Sequence, residues 1–276
     1  MLVVKRRRML MMGRAMILWF GWGLLACPLR EQYAALAPQG TLRMVYLASN
    51  PAQAVRDAAT GEIRGVAADL TRELARRAGV AVTITPSATP QTVIDAVNKG
   101  EADIGFVAYA PSRTGTVEFS QTYMLVRQTF LVAERSSLHS VDEIDRQGVR
   151  AGGARGNSIT IYLSRTLKRA KVIETEGDAA GLKRKFEAGE IDAFGANRQE
   201  LTAVANQMPG YRLLPDNILD VPQTIVVPKG RTAGLATVNA FIDEVRRSGF
   251  LKAAIERSGV IGIDVAPAGY GYGKVQ

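Results

Sequence analysis

The chain of 276 residues is 47% apolar and 22% charged, a balance that excludes a fibrous or disordered protein and leaves room for one large domain or two modest ones. Its formal net charge of +9 overstates its basic character, because residues 1–37 hold six basic groups against one acid. The remainder is mildly basic, with Lys and Arg interleaved with acids as in RKFEAGE and DEVRR. That reads as a solvated surface and gives no ground for a nucleic-acid partner.

The N-terminus carries a targeting pattern: Lys5–Arg8 is basic and Ala15–Ala26 is an apolar run. About twelve apolar residues are too few to span a bilayer, which takes about twenty. The leader is expected to occupy residues 1–37. Three processing routes stay open. Leu24-Leu25-Ala26-Cys27 has the pattern of a lipobox with Cys27 acylated, Ala35-Leu36-Ala37 is an ordinary cleavage pattern, and Arg6-Arg7-Arg8 loosely fits a twin-arginine signal. All of them lead out of the cytoplasm. With one cysteine and one histidine, His139, the chain has no disulfide framework and none of the usual transition-metal spacings.

After the leader, Gly40 to Leu47 reads as a strand, and Gly65–Gly79 as a helix with Val66, Leu70 and Leu74 on one face. Val80–Thr85 is a short strand. Thr89-Pro90 opens a helix over Val93, Ile94 and Val97 that Gly100 stops. Ala102–Ala108 is a buried strand leading to a turn with Pro111, Ser112 and Arg113. Thr129–Ala133 and Leu219–Val227 are strands expected to cross between lobes. Between them come a short helix at His139–Asp145, a strand at Gly148–Gly153, a helix at Asn157–Ala170 and a helix capped by Asp178. Residues 232–258 are helical, and the glycine-rich tail 269–276 is expected to be loose.

One feature repeats. Gly100-Glu101-Ala102-Asp103 and Gly189-Glu190-Ile191-Asp192 occupy the same place in two helix-to-strand connections. Matching flanking elements suggest two α/β lobes of similar plan, with a cleft between them.

These segments carry a resemblance. GVAADLTRELARRAG, the APSR…VEFSQTY run, GVRAGGARGNS, GEIDAFGAN and NAFIDEVRRSGFLKAAIERSG stand in the order found in extracellular solute-binding proteins of family 3, the polar amino acid receptors of ABC importers. The resemblance implies an α/β, two-lobed periplasmic binding protein type 2 fold joined by a two-strand hinge. Residues 38–130 plus 220–268 would form lobe 1, and residues 131–219 lobe 2. It further implies a monomer that binds a small solute bearing an acid group, passes it to a permease in the inner membrane, and uses no cofactor.

By the same resemblance the ligand site involves Asn50, Phe106, Ala108, Arg113, Gly156, Asn157, Ser158 and Asn197. Arg113 would grip a carboxylate through two parallel hydrogen bonds. Gly156-Asn157-Ser158 opens a helix, whose free N–H groups and dipole attract an anion. This chain departs from the family pattern in several places: Asn197 stands where an aspartate holds the ligand's ammonium, Ala108 and Ala110 replace small hydroxylated residues, Ser49-Asn50-Pro51 stands where an aromatic platform often follows the first strand, and Ser112 where family members often have Glu. The carboxylate clamp is kept while the ammonium clamp is weakened. Two alternatives remain, a periplasmic dehydratase-like enzyme and a solute-sensing module on the same fold. Catalysis would need a carboxylic acid in the cleft, and the strand-end loops offer no clear candidate.

Overall fold

A computed structural model describes residues 32–175 and 178–272. The first strand, β1 (Thr41–Leu47), precedes a two-residue hairpin of β2 (Val55–Arg56) and β3 (Ile63–Arg64). Helix α1 (Val66–Ala78) buries Val66, Leu70 and Leu74 and stops at Gly79, whose φ of 69° is a left-handed conformation that suits glycine. β4 (Ala81–Ser87) follows and pairs in parallel with β1.

Helix α2 (Pro90–Asn98) begins as the sequence predicts. Thr89 accepts a hydrogen bond from the Thr92 amide, and the Thr92 hydroxyl accepts one from the Thr89 amide. The helix lies on β5 (Ile104–Ala108) without clearance: a Cβ on Gly105 would stand 2.9 Å from Val93 and from Val97. β5 delivers the chain to a single 3-10 turn, Pro111–Arg113, and then to β6 (Val117–Phe119).

Two long strands occupy the middle of the molecule, β7 (Met124–Ala133) and β12 (Leu219–Pro228). They pair antiparallel, with Leu219 opposite Gln128 and Gln223 opposite Met124. β12 joins β5 on one side, and β7 joins β10 (Ala193–Asn197) on the other. Beyond β10 lie β8 (Arg150–Gly153) and β9 (Lys171–Glu174), giving a path β4-β1-β5-β12-β7-β10-β8-β9. β11 (Tyr211–Leu213) and β13 (Ile263–Val265) flank β7 off this path. Helix α3 (Ser158–Thr166) covers β8 and β10, while α4 (Ala179–Glu187) and α5 (Arg198–Ala205) pack near β10 and β11. Helices α6 (Thr232–Arg247) and α7 (Phe250–Ser258) return to pack with α1. The chain thus builds two half-sheets, each with apolar clusters on its faces, joined through β7 and β12.

The echo in the sequence is an echo in the structure. Asp103 accepts from the backbone N, Nε and Nη2 of Arg43 at 2.9, 3.1 and 2.8 Å. Asp192 accepts from the same three donors of Arg150 at 2.8, 2.8 and 2.7 Å. Each clasp ties a helix-to-strand turn to the neighbouring parallel strand, and the backbone completes it, since Asp103 and Asp192 each donate to the arginine's carbonyl.

Three expectations need revision. The helix foreseen over 157–170 ends at Thr166, because Asp145 takes the backbone N–H groups of Lys168, Arg169 and Ala170 and frees the chain to become β9. The helical stretch 232–258 is broken at Gly249, which adopts φ 78°. The tail is held at its start: the Gly271 carbonyl accepts from Thr122, and the Tyr272 ring stacks on Tyr109 with centroids 3.6 Å apart; residues 273–276 lie outside the described residues. At the other end, the last residues of the expected leader pack against the fold. Tyr33, Leu36 and Ala37 are buried in the cluster with α1 and α6, and Arg77 donates to the Tyr33 hydroxyl. The leader's remaining features, Cys27 included, lie outside the described residues.

Candidate functional site

The carboxyl ends of β1, β5 and β10 open on a cavity of about 380 Å³, which also meets the first turn of α3. This is where an open α/β sheet presents strand-end loops and helix N-termini to a ligand. Of the residues expected at the site, Asn50, Ala108, Arg113, Asn157, Ser158 and Asn197 line this cavity. Gly156 is adjacent, and its carbonyl accepts from Arg113. Phe106 is not there. It is fully buried and meets Tyr123 edge to face at 5.8 Å, so it belongs to the core.

Arg113 sits at the end of the short turn that follows β5. Its Nη1 donates to the Ala108 carbonyl at 2.8 Å and its Nη2 to the Gly156 carbonyl at 3.2 Å. No carboxylate pairs with it among the described residues. Burial alone pushes its pKa down from the ordinary arginine value, though it stays charged at any physiological pH. A desolvated guanidinium satisfied by two carbonyls has charge to spare for an anion. Across the cavity Asn157 is the N-cap of α3, and its side chain makes no capping bond. The first amides of that helix therefore look for acceptors elsewhere.

The far wall is polar. Asn197, last residue of β10, lies opposite Gln128 of β7, and Gln128 Nε2 donates to Asn197 Oδ1 at 2.9 Å and to Ser158 Oγ at 3.1 Å. Gln223 of β12 plays the matching role near lobe 1, accepting from Gln53 at 3.0 Å and Asn50 at 3.4 Å. Neither glutamine was among the expected site residues. Each had a signal, a polar side chain inside an otherwise apolar strand (MLVRQTFLVA and LDVPQTIVV).

Glu200 is the larger omission. It stands in the first turn of α5, three residues past Asn197, and is the only acid among the residues lining the cavity. No hydrogen bond or ion pair engages it among the described residues, and burial raises its pKa above the ordinary glutamate value. The strand-end loops are expected to offer no carboxylic acid, and the one on the cavity lining comes instead from the first turn of a helix.

The chain matches the model of bacterial extracellular solute-binding proteins, family 3, over residues 42–259, and it belongs to that family. A glutamine-binding protein of Geobacillus stearothermophilus is 28% identical over 170 residues, 60% of this chain and 64% of the relative, so the match spans just under two thirds of that protein. The ABC transporter glutamine-binding protein GlnH of Bacillus subtilis (strain 168) is 23% identical over 199 residues, covering 71% of this chain and 72% of its own. The crystal structure of an ancestral amino acid-binding protein, AncCDT-1, a precursor of cyclohexadienyl dehydratase, superposes with a TM-score of 0.65 at 23% identity, covering 82% of this chain and 97% of that one. The fold is the two-lobed α/β fold of amino acid-binding proteins.

Proposed function

We propose that the protein is the substrate-binding component of an ABC importer, capturing a small carboxylate-bearing solute, an amino acid or related organic acid, between its lobes. The observation that carries this reading is Arg113: a desolvated guanidinium without a carboxylate partner, open to a cavity and facing the uncapped start of α3. The ligand's carboxylate takes the two guanidinium N–H groups in place of carbonyl contacts, and the Gly156-Asn157-Ser158 helix end closes over it. The match to two glutamine-binding relatives supports a polar amino acid as solute. Residues 38–130 with 220–268 act as one lobe and 131–219 as the other, hinged on β7 and β12. The exported monomer works in the periplasm, free or held by a lipid on Cys27, and hands its solute to an inner-membrane permease without catalysing a reaction. Thermal unfolding against amino acids, keto acids, hydroxy acids and sulfonates tests the reading. Ligand at a hundred times its dissociation constant adds about 2.7 kcal/mol, and no shift across the panel would overturn it.

A second reading has one observation in its favour. A carboxyl in the cavity wall whose pKa burial raises, as at Glu200, is better suited than an ordinary glutamate to deliver a proton to a leaving group. That would suit a dehydratase acting on prephenate- or arogenate-like acids held by Arg113. Turnover of such acids by the purified protein, lost in Glu200→Gln, would establish it; the absence of turnover would leave the receptor alone.

A further inference from the structure

We propose that Glu200 selects a positively charged group on the solute, so that the cleft takes a zwitterion with its carboxylate on Arg113 and its ammonium on Glu200. The proposal rests on the receptor reading above and deepens it.

The cavity holds two side-chain charges left without an opposite partner among the described residues, one of each sign: Arg113 and Glu200. The third charged residue on its lining, Arg155, is engaged by Glu174 at 3.2 Å. A half-buried charge left unpaired is poorly solvated, and a ligand carrying both complementary charges compensates both at once. An acid without an ammonium would leave Glu200 unpaired and add a second negative charge to the same cavity.

Asn197 cannot do the work in its place. Its Oδ1 is turned to the wall, where it accepts from Gln128 Nε2 at 2.9 Å. The amide offers no formal charge and has its acceptor already used. Glu200, one turn on, presents a carboxyl to the same space without a competing donor. Glu200 lies three residues along the chain from Asn197, which ends β10, and stands in the first turn of α5. A carboxylate there also benefits from the N-terminal end of the helix dipole. Burial raises the Glu200 pKa in the empty cleft, and a bound ammonium reverses that by favouring the ionised form.

The test uses ligand pairs that differ only at the ammonium: L-glutamine against 4-carbamoylbutanoic acid, and L-arginine against 5-guanidinopentanoic acid. Calorimetry on the full mature protein should show the amino acid of the preferred pair binding at least about tenfold more tightly than its deaminated partner. Glu200→Gln should erase that preference, and adding Asn197→Asp to it should restore part of it; the restoration shows that the variant is folded. Arg113→Ala should weaken both members of the pair. If Glu200→Gln leaves the preference intact, or if deaminated acids bind better than amino acids to the wild type, this proposal falls while the receptor reading stands. Binding of neither class overturns both. A variant that binds acids normally but has lost turnover of them overturns it in favour of an acid catalyst.

Discussion

Arg113 and Gly156 meet across the cleft: the guanidinium Nη2 donates to the Gly156 carbonyl at 3.2 Å while Nη1 is held by Ala108. The cation thus touches the strand end that presents it and the loop that opens α3. A ligand carboxylate arriving there replaces both carbonyl contacts with a full charge. Arg113→Ala should cost about 2–5 kcal/mol of binding energy, read by calorimetry. Arg113→Lys should recover little of it, because an ammonium cannot reproduce the planar two-pronged grip.

Asn197→Asp places a second carboxylate beside the wall that Gln128 organises. Amino acid affinity should rise by about tenfold, roughly the worth of one charged hydrogen bond. Unchanged affinity would show that position 197 does not face the ligand's ammonium side.

Binding should also depend on pH through Glu200. In the empty cleft its pKa lies above the ordinary glutamate value, so at low pH the group is protonated and an ammonium must displace that proton. Amino acid affinity therefore rises with pH through that raised range and levels off above it. The other charged groups near this space are Arg113 and Arg155 on the lining and Arg198 on α5; burial lowers the pKa of Arg113 and Arg198, yet both guanidinium groups stay cationic over the range titrated. Titrations in Glu200→Gln should lose the slope.

Stability in acid should depend on Glu73. Hydrogen bonds from Arg76 and, within the same cluster, Arg77 hold its pKa down at about 2. A depressed carboxyl stabilises the fold above its unfolded value of 4.5 and loses that contribution as pH falls toward about 2. For a helix-surface cluster the loss should be about 1 kcal/mol. Chemical denaturation of Glu73→Gln across pH 7, 3 and 2 checks it: the variant should be the weaker at pH 7, less so at pH 3, and nearly level only at about pH 2.

A chain begun at residue 38 should be less stable than one begun before Tyr33. It lacks the burial of Tyr33, Leu36 and Ala37 and the Arg77 contact to Tyr33, worth about 3 kcal/mol together. At about 2–4 °C per kcal/mol, melting should fall by roughly 6–12 °C. N-terminal sequencing of the exported protein should accordingly find cleavage upstream of Tyr33.

What could be read from the sequence was what local chemistry dictates. The Thr89-Pro90 start and the Gly79 stop are written in residue types that do little else as well. Arg113 was legible because a single arginine just past a buried strand has few structural uses. Phe106 was misplaced by position along its strand: it shares a face with Ala108, yet only the strand's end emerges at the cavity, and two residues earlier that face is core. Glu200 was invisible because an acid in a first helical turn is ordinary, and only the packing of α5 against β7 and β10 makes it a wall of the cleft. The burial of Leu36 depends on Gly234, almost two hundred residues away, where a Cβ would come within 3.3 Å of it.

The paired clasps Arg43–Asp103 and Arg150–Asp192 bear on the order in which the molecule assembles. The second joins residues 42 apart within one uninterrupted stretch of chain. The first joins residues 60 apart, but its half-sheet also needs β12 and the last two helices, which arrive at the end of translocation. Shorter loops close at lower entropic cost. A chain emerging N-terminus first thus completes its middle before its beginning, and the strand that finishes the outer half is the one that also sets the hinge.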